Sequence, residues 1–129
     1  MNKILVEVSV GELLDKISIL EIKKEKIKDS EKLKFINDEH TILKAQFEQN
    51  VKSDVKLNKF FNTLKEINAK LWVIEDDKRL CEKNKNFTEN FIKISRDVHF
   101  LNDERAKVKL AINNYTGSKI KEVKEYTSY

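Results

Sequence analysis

The hydrophobic residues of this chain recur at spacings of three and four, which is the repeat of an amphipathic helix. Several such stripes follow one another, separated by short polar stretches. We therefore predict one all-α domain over residues 1–129, an antiparallel bundle of three to four helices with a short N-terminal β-strand. The predicted helices cover residues 10–28, 31–49, 54–83 and 88–113, followed by a tail over residues 114–129.

Local signals place the first helix boundaries. Ser9 followed by Glu12 forms a capping box, so a helix should begin near Val10. The apolar stripe changes face after residue 28, which fits either a break at Asp29-Ser30 or one long helix over residues 10–50 with two partners. We favour the break, because Asp and Ser are good N-cap residues.

Residues 3–8 carry β-branched side chains at alternate positions, Ile4, Val6 and Val8, which predicts a short strand. A lone strand needs a partner. The tail fits either a helical turn, from its spacings of three, or a second strand. Pairing of the tail with the N-terminal strand, within one chain or between two copies, would satisfy both segments, so we expect a homodimer.

One permanent cation interrupts the apolar stripe of the fourth helix. Arg105 falls on the same face as Phe91, Val98 and Ile112. An unpaired charge away from water costs several kcal/mol, so this guanidinium requires a carboxylate, a bound anion or a wet cavity. Polar residues interrupt the other stripes as well, namely Lys24, His40, Asn68 and Glu75.

In an up-down bundle, the rise per residue places His40, Asn68, Asn102 and Arg105 within about one turn of each other near the middle. Glu75 and Arg79 would lie about one to two turns higher, toward the connection before the fourth helix. Glu21 is the nearest expected counter-charge for Arg105. The candidate binding residues are Arg105, Asn102, Glu75, Arg79, Glu21, His40, Asn68 and Trp72. They could form a pocket for a small anionic ligand, or a hydrogen-bonded layer that fixes helix register or oligomeric state. The alternative is an enzyme acting on a nucleotide or sugar phosphate at Glu75, Arg79, Asn102 and Arg105.

Catalytic chemistry has little support in the sequence. Neither His40 nor His99 has a Glu three residues earlier, as a di-iron bundle requires. Glu12 and Asp15 have suitable spacing for a magnesium site, but we expect both to point away from the apolar stripe. The chain contains no phosphate-binding glycine loop, nucleophile elbow or zinc-protease motif. We therefore expect a non-catalytic protein with no cofactor and no metal.

Composition narrows the possible partners. The net charge is +4, yet 26 basic and 22 acidic residues alternate along the helices, which is typical of a solvated face. This pattern argues against nucleic-acid binding. The single cysteine, Cys81, fits a reducing compartment, and no segment resembles a signal peptide or a membrane span. We expect a cytoplasmic protein.

Three segments of the chain carry a resemblance to a known family. They are residues 8–23, around Gly-Glu-Leu-Leu-Asp-Lys-Ile-Ser, residues 71–79, Leu-Trp-Val-Ile-Glu-Asp-Asp-Lys-Arg, and residues 102–109, Asn-Asp-Glu-Arg-Ala-Lys-Val-Lys. Together they resemble a family of short bacterial proteins of unknown function. The resemblance implies no activity, substrate or cofactor. It implies that the following residues belong to the family pattern: Glu12, Asp15, Lys16, Glu21, Trp72, Glu75, Asp76, Arg79, Asn102, Asp103 and Arg105.

Overall fold

A computed structural model describes residues 2–129 and confirms the all-α fold, with four helices. The helices are α1 (Val10–Lys26), α2 (Ser30–Asn50), α3 (Val55–Lys83) and α4 (Glu89–Thr116). Their ends differ from the predicted ones by at most three residues, the largest difference being at the end of α4. No helix within residues 2–129 has the length and apolar character needed to cross a lipid bilayer.

Side-chain caps fix the starts of three helices. The Ser9 hydroxyl accepts the Glu12 backbone N–H at 3.0 Å, and the Asp54 carboxylate accepts the Leu57 N–H at 2.8 Å. Asp29 caps α2 in the same way, so the chain breaks between the first two helices rather than continuing as one. Each cap satisfies an N–H group that lacks an intrahelical partner.

Helix α1 lies at the centre of the molecule and packs against the other three helices. The core joins Leu14 and Ile17 of α1 to Leu57 and Leu64 of α3 and to Ile112 of α4, all buried. Helices α2 and α4 run antiparallel to α1, and α3 runs parallel to it. Within this frame α2 rests on α1, whereas α3 and α4 also pack along each other.

The predicted N-terminal strand is wrong. Residues 2–9 form no strand, and the side chains of Ile4, Leu5 and Val6 are 86%, 81% and 73% exposed. The tail after Gly117 is neither a helical turn nor a strand, and it does not pair with the N-terminus. Alternating β-branched residues favour an extended backbone, but a strand also requires a second one, and none of the described residues provides it.

The hairpin of α3 and α4 extends beyond α1. These helices have 29 and 28 residues, against 17 in α1, so their connected end has no third helix over it. The upper part of the α4 stripe is consequently half-covered, with Phe91, Ile94 and Val98 intermediate in exposure and Phe87 exposed. This end of the hairpin leaves open grooves next to the polar residues of the bundle.

Candidate functional site

The side chain of Asp15, in the second turn of α1, is 1% exposed and lies at the centre of the polar site. Its Oδ1 accepts hydrogen bonds from Arg105 Nε at 3.0 Å and from Asn68 Nδ2 at 2.8 Å. Its Oδ2 accepts a further bond from Arg105 Nη2. The guanidinium therefore holds the carboxylate with two parallel bonds, the strongest geometry available to this pair.

Ser18 completes this network one turn along α1. Its Oγ donates to the Asp15 carbonyl at 2.8 Å and accepts the second Asn68 N–H at 2.8 Å. Both amide N–H groups of Asn68 are thus used, and the side chain is buried. We call Asp15, Ser18, Asn68 and Arg105 the polar network. It ties α1 to α3 and α4 through groups that satisfy one another.

Lys109, one turn after Arg105, forms a second charged contact between α4 and α1. Its Nζ lies 2.7 Å from Glu12, 3.1 Å from Glu122 of the tail and 3.7 Å from Asp15. Burial acts to lower the pKa of Lys109, but the bonds to Glu12 and Glu122 outweigh it and raise that pKa. Hydrogen bonds from Lys124 and then Lys109 lower the pKa of Glu122 to about 2.

Gly11 lets α1 and α4 approach closely enough for these contacts. A Cβ at this position would lie 2.5 Å from the Lys109 carbonyl oxygen and 2.9 Å from Asn113 Oδ1. The Gly11 N–H instead donates to Asn113 Oδ1 at 2.7 Å. Because the backbones meet here, the short side chain of Asp15 can reach Arg105 on the neighbouring helix.

The structure brings only some of the candidate residues together. Arg105 and Asn68 meet at Asp15, and Asn102 reaches Arg105 Nη1 at 3.4 Å. The expectation that Glu21 is the counter-charge of Arg105 is wrong. Glu21 instead accepts from His40 Nε2 at 3.2 Å and from a lysine of α3.

His40 therefore belongs to a separate cluster between α1 and α2. Its Nδ1 lies 3.0 Å from Lys24 Nζ, and an ammonium can only donate. Nδ1 must then be the acceptor and Nε2 must carry the proton that Glu21 accepts, which defines the neutral tautomer. Lys65 joins the cluster by bonding Glu21 at 3.3 Å and Glu25 at 3.1 Å.

The remaining candidates line a groove of about 420 Å³ beside the polar network. Its apolar floor comes from α1 and α3, including Ile22, Leu71 and the half-buried Trp72. Glu75 and Arg79 bond each other at 2.8 Å on the rim, and the Arg79 side chain is 74% exposed. The residues brought together at this groove are Asn68, Trp72, Glu75, Asp76, Arg79, Asn102 and Arg105.

A second groove, of about 650 Å³, lies on the other side of Arg105, between α4 and the tail. Tyr129 crosses it, donating its hydroxyl to Asp103 and stacking edge-on against His99 and Phe100. Lys109 and Lys124 also line this groove, and Glu122 binds both. The two lysines that line this groove are therefore already paired with a carboxylate of the tail.

Sequence reasoning missed Asp15, the residue on which the polar network depends. The expectation that Glu12 and Asp15 point away from the interior is wrong for Asp15. Gly11, Asp15, Ser18 and Ile22 recur at spacings of 4, 3 and 4, so they form a second stripe beside the apolar one. A helix buried on several sides needs two such stripes, and small residues in the second would have indicated close helix packing.

Residues 2–129 contain no suitable set of metal ligands. Within that range no group of three or more His, Cys, Asp or Glu side chains is placed to hold a metal ion. Both oxygens of the buried Asp15 carboxylate already accept hydrogen bonds from Asn68 or Arg105. This arrangement can orient helices, but it offers the oxygens of Asp15 to no outside group.

Comparison with known proteins identifies the family of this chain. The model of a family of unknown function (DUF6165) matches residues 4–129, which is nearly the whole chain, so the chain belongs to that family. No curated protein and no solved structure matches it.

Proposed function

We propose that this member of a family of unknown function is a non-catalytic helical interaction module that self-associates as a homodimer. In this proposal the polar network is a structural lock that sets the packing of α1 on α3 and α4. The protein would act in a reducing compartment such as the cytoplasm, since its one cysteine, Cys81, is a buried free thiol.

One observation carries this proposal: the charge of Arg105 is compensated inside the fold. The guanidinium is held at two positions by a carboxylate that is almost fully buried, and that carboxylate receives a further bond from Asn68. A site built to bind an anion would leave its cation free to do so. Buried polar groups that satisfy one another serve instead to specify a packing arrangement.

Self-association is supported by apolar surface that the single chain leaves open. Ile4, Leu5 and Val6 project from the start of α1, and Phe87 and Ile92 lie exposed at the connected end of the α3–α4 hairpin. Clustered apolar side chains on a charged surface are typical of protein contacts. In sedimentation velocity experiments at protein concentrations from micromolar to millimolar, the apparent mass should rise with concentration. A constant monomer mass across that range would contradict the proposal.

The second candidate function is binding of a small anionic ligand in the groove beside Trp72. It is favoured by Arg105 Nη1, whose contact with Asn102 is long at 3.4 Å, and by the apolar floor of the groove. Two carboxylates in the groove disfavour binding of an anion. Glu75 already forms an ion pair with Arg79, and Asp76 adds a second negative charge to the groove. A nucleotide or sugar phosphate, the substrate class of the enzymatic alternative, would have to displace Glu75 from Arg79.

A thermal-shift screen separates the two candidates. We expect phosphorylated and carboxylated metabolites, with and without Mg²⁺, to leave the melting temperature unchanged. A ligand at 100 times its Kd should stabilise the fold by about 2.7 kcal/mol, so binding would be visible. A hit that disappears in Arg79→Met but persists in Lys93→Met, which lies outside the groove, would establish the ligand site and refute the purely structural interpretation.

A further inference from the structure

We infer that residues 3–7 form the contact between two copies, as an antiparallel strand pair centred on Leu5. This inference rests on the proposed self-association and specifies where it occurs. In the described structure none of residues 2–7 makes a backbone hydrogen bond, and Ile4, Leu5 and Val6 are almost fully exposed. The segment has the sequence of a strand and the open backbone of an unpaired one.

The base of this segment is firmly anchored. Ser9 is buried and caps α1, while the Val10 and Gly11 N–H groups donate to Ser118 and Asn113 near the end of α4. Residues before Ser9 therefore leave the bundle at a fixed point. A segment held at one end loses less conformational freedom on pairing than a free peptide does.

Charge complementarity selects a second copy as the partner and Leu5 as the centre. In an antiparallel pair centred on Leu5, each Lys3 lies opposite Glu7 of the second copy, and each Ile4 lies opposite Val6 of the second copy. The two-fold axis repeats both pairs. Opposite charges and β-branched side chains directly across from each other both stabilise a strand pair.

The tail is a poorer partner for this segment. Glu122 is engaged with Lys109 at 3.1 Å and with Lys124 at 2.6 Å, and Tyr129 is bound to Asp103. Pairing with the tail would break these contacts, whereas residues 3–7 make no hydrogen bond or ion pair with any described residue and would lose none. Self-pairing therefore uses only groups that the single chain leaves open.

Charge reversal tests the register directly. In full-length protein, Lys3→Glu or Glu7→Lys alone places like charges opposite each other at both symmetric positions. We expect either variant to raise the dimer dissociation constant on the order of 30-fold, because two attractive pairs become repulsive and each such change costs about 1 kcal/mol. The double variant Lys3→Glu/Glu7→Lys should dimerise like the original protein.

Mixing gives the most specific readout, because a one-to-one mixture of the two single variants restores both ion pairs in a heterodimer. Sedimentation equilibrium should therefore show dimers in the mixture and monomers in each variant alone. The matched control, Glu39→Lys on the exposed face of α2, should dimerise normally. Normal dimerisation of both single variants would overturn the inference, as would loss of dimers on removing residues 119–129, a deletion that keeps Ser118.

Cross-linking provides an independent test. In a Cys81→Ser background, Leu5→Cys should oxidise to a disulfide dimer, because directly opposed residues have Cα atoms about 4.5–5.5 Å apart. Ile4→Cys should not, since the two equivalent positions lie about 8 Å apart. Equal cross-linking of both variants would overturn the register. A protein that stays monomeric at every concentration would refute the proposed self-association itself.

Discussion

Replacing Arg105 by methionine should destabilise the protein strongly, because it strands the buried carboxylate of Asp15. Removing one partner of a buried ion pair costs roughly 3–5 kcal/mol. Arg105 is 29% exposed, and Lys109 lies 3.7 Å from the same carboxylate and can compensate in part. We therefore expect the lower end of that range, about 3 kcal/mol, or a fall in melting temperature of roughly 10 °C for a domain of this size.

A double-mutant cycle with Asp15→Leu identifies the cause. Asp15→Leu alone should also destabilise, since it leaves Arg105 and one N–H of Asn68 without an acceptor. The double variant Asp15→Leu/Arg105→Met removes both charges. Its loss in free energy of unfolding should therefore be about 2 kcal/mol smaller than the sum of the losses in the two single variants. Urea unfolding at one fixed protein concentration measures all four free energies of unfolding.

The matched control is Arg79→Met, which removes the same side chain from an exposed pair with Glu75. Surface pairs of this kind contribute about 0–1 kcal/mol, so its free energy of unfolding should barely change. If Arg105→Met were as mild as Arg79→Met, or if the two changes in the cycle were additive, the polar network would not be the lock described above.

Further outcomes follow from the contacts of α1 and of the tail. Gly11→Ala should destabilise the protein by about 1–3 kcal/mol, because the added Cβ would lie 2.5 Å from the Lys109 carbonyl oxygen. In the control Gly117→Ala the added Cβ meets nothing, so the loss should be smaller and come only from the positive φ of 68°. Equal losses in the two variants would argue against close packing of α1 on α4. The pKa of Glu122 is lowered from 4.5 to about 2, so the contact between the tail and α4 should persist above pH 4.5 and be lost as pH falls toward 2. Carbon-detected NMR titration should give the Glu122 midpoint near 2 and a higher one in Lys124→Met, and an unshifted midpoint would mean that the tail is not bound.

The helices of this protein could be predicted because their determinants are local. Ser9 and Asp29 cap helices in the structure, as their side-chain chemistry suggests. Between the capping residues, apolar residues at spacings of three and four indicate where each helix runs. The structure of residues 3–8 could not be predicted in the same way, and the strand expected there is absent. Alternation in residues 3–8 describes a backbone preference, but strand formation depends on a partner that the single chain does not provide.

The candidate site was harder to predict, because it depends on which helices meet. The sequence indicates that the charge of Arg105 needs a partner, and both Arg105 and Asn68 bond the same carboxylate in the structure. The partner itself, Asp15, lies off the apolar stripe of α1, and a single stripe predicts a single buried face. A central helix is buried on several sides, so the counter-charge could lie on a face that the apolar stripe of α1 does not mark.

The position of α1 also has a consequence for the order in which the chain folds. Helices α3 and α4 are joined by a short connection, so their pairing involves contacts between residues close in sequence. Asp15, by contrast, must wait for Asn68 and Arg105, which lie 53 and 90 residues later. Because such long loops close slowly, α1, together with the α2 helix that packs on it, should dock onto the α3–α4 hairpin late in folding. Until then the Asp15 carboxylate is hydrated, and it gives up that hydration only when Asn68 and Arg105 are in place to bind it.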